Sequence, residues 1–68
     1  MVNFSKYKIG TQVMTYSGHK AIYYKEWVLG GKTTYWIRTD HGGDYAVYVN
    51  GKCNDTPYLT SSDVVCLW

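Results

Sequence analysis

The sequence predicts an all-β fold, a small barrel or sandwich of five short strands, and three observations carry that expectation. Glycine punctuates the chain at hairpin intervals, in Ser17-Gly18, Gly30-Gly31, Gly42-Gly43 and Asn50-Gly51, where turns need positive φ. The stretches between these turns are rich in Val, Ile, Thr, Tyr and Trp, which suit a pleated, half-buried surface better than a helix. Sixty-eight residues make one core and leave no room for a second domain. A chain this short buries only about 60% of its unfolded surface, so self-association is a natural supplement.

Taken in order, residues 1–6 read as a flexible lead-in. Strands are expected over residues 11–16, 21–29, 33–40, 45–50 and 64–68, with a tight turn, or one turn of 3₁₀ helix, at residues 60–63. Side chains alternate across a strand. Tyr35 and Ile37 therefore share one side of the third strand, while Trp36 and Arg38 share the other. On the fourth, Tyr45, Val47 and Val49 oppose Ala46 and Tyr48. A core of Val13, Ile22, Val28, Ile37, Val47, Val49 and Leu67 follows, with Trp36, Tyr48, Tyr23 and Trp27 pointing outward. The second strand is apolar on both faces, so it either bends around a small barrel or presents one face to a partner.

Composition narrows the function. With 46% hydrophobic and 18% charged residues the chain is outside the disordered class. Eight Tyr and three Trp stand against one Phe, an excess of rings that carry a polar group and favour half-wet surfaces. The net charge of +2 is dispersed, which argues against an electrostatic nucleic-acid clamp. Residues 1–10 hold no apolar signal region, and no stretch approaches a membrane span of about 18 apolar residues. Cys53 and Cys66 read as free, buried thiols, with a disulfide between them the less favoured alternative in the absence of a secretory context. Two thiols cannot close a zinc site, and His19 and His41 lack the spacing of the usual zinc motifs, so no metal or other cofactor is expected.

Several segments, in order, suggest a relationship: YKIGTQV at 7–13, AIYY at 21–24, TYWI at 34–37, YAVYVNG at 45–51 and YLTSSDVV at 58–65. Together they resemble the bacterial SH3-like cell-wall-binding domains at the carboxyl ends of phage endolysins. The resemblance implies a five-stranded SH3-like barrel that docks a lytic enzyme onto Gram-positive peptidoglycan or wall polysaccharide and does not itself cut. It further implies synthesis in the host cytoplasm, action at the wall, and a partner that is an endolysin catalytic domain, further copies of the chain, or both. The chain departs from the pattern at residues 53–57 and 66–68, where wall-binding loops vary with specificity.

The candidate ligand-binding residues are Trp36, Tyr48, Tyr23 and Trp27, whose rings suit the C–H faces of sugars but serve equally well in a core or a dimer contact. Arg38, Asp40, His41 and Asp44 gather at the Gly42-Gly43 turn, either to hydrogen-bond a polyhydroxylated or charged ligand or as a solvated hairpin tip. A catalytic reading of Asp40 and His41 finds no nucleophile elbow and no papain-type pairing, and no enzyme is expected. Nucleic-acid binding by stacked aromatics and inhibition of another protein by strand addition are the alternatives to wall binding.

Overall fold

The computed structural model describes residues 2–68. It is all-β: five antiparallel strands form one sheet, and a single 3₁₀ turn over Phe4–Lys6 is the sole helical element among the described residues. The strands are β1 (Gln12–Thr15), β2 (Lys20–Leu29), β3 (Lys32–Thr39), β4 (Asp44–Val47) and β5 (Val64–Leu67). Their order across the sheet is β4-β3-β2-β1-β5. No ladder closes β4 onto β5. Instead the chain leaving β4 makes the join, with Val64 N–H donating to the Gly51 carbonyl at 2.8 Å and Phe4 N–H to the Val49 carbonyl at 2.9 Å.

Local chemistry sets the turns. Gly30 and Gly31 both take positive φ (59° and 78°) in the two-residue loop between Leu29 and Lys32, the conformation that matches hairpin twist. Asn50-Gly51, in contrast, links no paired strands. Gly51 has φ 86° and lies against β5, where a Cβ would strike the Val64 carbonyl oxygen. The turn at residues 60–63 forms as expected, with Asp63 N–H donating to the Thr60 carbonyl at 3.0 Å.

One irregularity reorganises the sheet. The β2–β3 register shifts between Tyr23 and Lys25, so Tyr24 is the extra residue of a β-bulge, which re-aims the side chains beyond it. Before the bulge Ala21 and Tyr23 face the core and Ile22 faces out; beyond it Lys25 and Trp27 lie on the outer side, opposite Trp36 and Thr34. Hence Tyr23, expected outside, is 4% exposed, and Ile22, expected inside, is 46% exposed. Val28 and Leu67 are also exposed rather than buried. They lie where β2 outruns its β1 partner and where β5 forms the sheet edge. Val49 is exposed because it follows the last residue of β4.

The core consists of Val2, Phe4, Val13, Ala21, Tyr23, Tyr35, Ile37, Val47 and Val64. Its centre is the chain's only Phe. Phe4 meets Tyr7 and Tyr23 edge-on at 5.1 and 5.4 Å and stacks on Tyr35 at 5.4 Å, geometries that add to area burial. The opening residues therefore form part of the core instead of a lead-in outside it; Met1 lies outside the described residues. Asn3 fixes the entry by accepting the Ser5 N–H at 3.1 Å.

Beneath the β4–β5 join, Asp63 is fully buried. Its Oδ1 accepts from Cys53 N–H (2.9 Å), Cys53 Sγ (2.7 Å) and Thr60 Oγ1 (2.8 Å). Its Oδ2 accepts from Thr60 N–H (3.0 Å) and Lys52 Nζ (2.6 Å). Burial pushes this carboxyl up, but the donors from Cys53 and Lys52 outweigh it and hold Asp63 far below the usual carboxylate range. Lys52 also reaches the Tyr58 carbonyl, so one carboxylate organises the long 48–63 connection. Burial, followed by the Asp63 contact, raises the Cys53 thiol. Both cysteines are free, Cys53 half-buried and Cys66 exposed, the latter against the expectation of a buried thiol.

Candidate functional site: an aromatic and cationic outer face

The outer face of the sheet gathers most of the residues singled out in the sequence. A row runs straight across four strands, Gln12 beside Ile22, Ile22 beside Arg38, and Arg38 beside Asp44. Trp68 continues it past β5, its N–H donating to the Gln12 carbonyl at 3.0 Å. Arg38 grips Asp44 with two hydrogen bonds, Nε to Oδ1 at 3.0 Å and Nη2 to Oδ2 at 3.2 Å. Tyr24, displaced outward by the bulge, donates its hydroxyl to Asp44 Oδ2 at 3.0 Å. The hydrogen bond from Arg38 holds Asp44 below the ordinary carboxylate range.

Cations and rings alternate over this face. Lys20 Nζ sits 4.0 Å from the Trp68 ring centre, Arg38 4.8 Å from Tyr24, and Lys32 Nζ 4.7 Å from Tyr48. Lys25 Nζ lies 5.3 Å from both Trp27 and Trp36. Each contact is within the range of cation–π attraction. Between Trp68 and Tyr24 runs a groove of about 430 Å³, floored by Gln12 and Ile22 and rimmed by Lys20, Arg38 and Asp40.

Trp36, Trp27, Tyr48 and Arg38 therefore stand on one face as expected. Trp36 and Tyr48 are half-buried, Trp27 is exposed, and the Trp36 Nε1 is buried without an acceptor. Tyr23 leaves the set for the core. Trp68, Lys20, Tyr24 and Gln12 join it unforeseen. The sequence offers Trp68 only as a candidate for a self-association contact; its place in this row depends on β5 pairing with β1 rather than β4.

Asp40 and His41 go to the rim, where they meet His19. Two turns of like construction bring these residues together. In each, a buried Thr opens a five-residue loop whose fourth residue is a positive-φ glycine, Gly18 or Gly42. Thr15 N–H donates to the His19 carbonyl at 2.9 Å and Thr39 N–H to the Gly43 carbonyl at 2.8 Å. The two Thr hydroxyls accept the N–H of His19 and Gly43 in return. A backbone bond from Asp40 N–H to the Lys20 carbonyl at 2.8 Å ties one turn to the other. Burial pushes Asp40 upward, but its contacts with His41 and His19 prevail and leave it below the usual range.

No protein-family profile, curated protein or solved structure matches this chain.

Proposed function

We propose that the chain is a non-catalytic binding module that attaches to Gram-positive wall polysaccharide or peptidoglycan by its outer face. One observation carries the reading: exposed and half-buried rings alternate with Lys20, Lys25, Lys32 and Arg38 across one face, and an open groove lined by Lys20, Tyr24, Arg38 and Trp68 crosses part of it. A sugar ring offers apolar C–H faces that stack on Trp and Tyr, and hydroxyls that hydrogen-bond to flanking charged groups. Arg38 is already paired with Asp44, so Lys20, Lys25 and Lys32 are the cations that favour a polymer carrying phosphate or carboxylate. The resemblance to SH3-like wall-binding domains supports the same reading, with an endolysin catalytic domain or further copies of the chain as the natural partner.

The test is co-sedimentation of labelled protein with purified Gram-positive walls. Trp27 and Trp68 are 52% and 51% exposed, so Trp27→Ala and Trp68→Ala spare the core. Each should weaken retention by about tenfold or more, as expected for an aromatic hot spot. Walls that retain neither the wild type nor the variants, or that retain all three equally, would overturn the reading. Tight, steeply salt-dependent capture by single-stranded nucleic acid in place of walls would transfer the same face to that ligand.

A further inference from the structure

We propose that His19, Asp40 and His41 form a binding site for one divalent transition-metal ion, with zinc as the occupant that best fits their chemistry. Asp40 Oδ1 lies 3.3 Å from His19 Nδ1 and 3.5 Å from His41 Nδ1. Both are ion-pair contacts, longer than the roughly 2.7–3.2 Å of a well-formed N–H···O hydrogen bond. They match the edge of a coordination tetrahedron: with metal–ligand bonds of about 2.0–2.2 Å, neighbouring ligand atoms stand about 3.3–3.5 Å apart. One ligand atom from each of the three residues lies within 4.8 Å of the others, and the two imidazoles are 4.1 Å apart between centres. Two imidazoles and a carboxylate suit zinc and leave a fourth position open.

The surroundings are built, not incidental. The paired turns described above fix the backbone on both sides, and the Asp40–Lys20 backbone bond sets their separation. The histidines also border a small polar cleft of about 140 Å³ that Ser17, Tyr45, Ser61 and Ser62 line, so a hydroxyl-bearing or anionic fourth ligand would find partners beside the ion. Bound metal would cross-link the β1–β2 turn to the β3–β4 turn. This site stands independently of wall binding.

The experiment is calorimetric and thermal titration of tag-free protein with zinc chloride. It should take up one ion per chain. At zinc about 100-fold above the measured Kd, Tm should rise by about 10–20 °C, as binding confined to the native state requires. His19→Ala and His41→Ala should each weaken uptake by more than the roughly 10–100-fold typical of an outer-shell partner, while keeping the wild-type Tm in EDTA. Asp40→Asn, at an exposed position, gives a third variant should either histidine variant lose its fold. Cobalt should bind with visible d–d bands and no thiolate charge-transfer band. No uptake at up to about 1 mM zinc, uptake unchanged in the variants, or a thiolate band implicating Cys53 or Cys66 would each overturn the assignment.

Discussion

Replacing Asp63 by Asn changes one atom and should remove most of the protein's stability. The carboxylate receives five donors. An amide placed isosterically keeps an acceptor toward Cys53 and Thr60 Oγ1 but turns an NH₂ toward Thr60 N–H and Lys52 Nζ, donor against donor. Hydrogen bonds to a charged group are worth about 1.5–3 kcal/mol each and do not add fully. Lys52 is 18% exposed and can turn partly to water, so the loss falls near the lower end for a broken buried pair, about 3 kcal/mol. A core of this size supplies only about 3–5 kcal/mol. With a urea m-value near 1 kcal/mol/M, the midpoint should fall by about 3 M. Because the folded-state pKa of Asp63 is depressed, its contribution is fully present above the unfolded value of about 3.9 and is lost as pH falls below it. The wild type should therefore lose stability below about pH 4 more steeply than Asp63→Asn. Urea titrations followed by Trp fluorescence at pH 7 and pH 3 test both statements. A midpoint within about 0.5 M of wild type at pH 7, or parallel acid profiles, would refute the reasoning.

Phe4→Ala should cost about 3–5 kcal/mol, comparable with the whole stability, and leave the chain unfolded at 25 °C; a cooperative near-UV transition close to that of the wild type would contradict this. Gly51→Ala should lower stability by about 2 kcal/mol or more, combining a left-handed backbone with the Cβ contact on Val64, and a urea midpoint unchanged from wild type would count against it. Trp27, Val28 and Leu29 are 52%, 61% and 72% exposed on a stretch of β2 with no β1 partner. We therefore expect self-association through this arm, reduced by Val28→Glu; light scattering at micromolar concentration that gives about the 7.8 kDa of one chain would exclude it.

Sequence alternation was a sound guide where strands are unbroken. On β3 it separates Tyr35 and Ile37 from Trp36 and Arg38 as the structure does, because eight consecutive residues keep one phase. On β2 the same rule fails at Tyr24, since a bulge leaves no mark in a run already apolar on both faces. Phe4 gives no periodic signal because it lies alone among Asn3, Ser5 and Lys6, and its burial depends on contacts with β2 and β3. The convergence of His19 with Asp40 and His41 spans two turns about twenty residues apart, a separation that no local motif spacing records. Thr60 and Asp63 were legible as a turn, but their donors at Lys52 and Cys53 come from a connection whose path tertiary packing decides.

The bulge at Tyr24 also divides labour along a single strand. Before it, Ala21 and Tyr23 belong to the core, with Tyr23 packed on Phe4 and Tyr35, and changes at these two positions are felt by the fold. Beyond it, Lys25, Trp27 and Leu29 answer only to Lys32, Thr34 and Trp36 across the hairpin. Drift in those positions can alter what the arm touches while the core retains its residues. Selection for a new surface and selection for folding thus act on separate residues of the same ten-residue strand, and a display library confined to the arm would sample contacts without sampling unfolded chains.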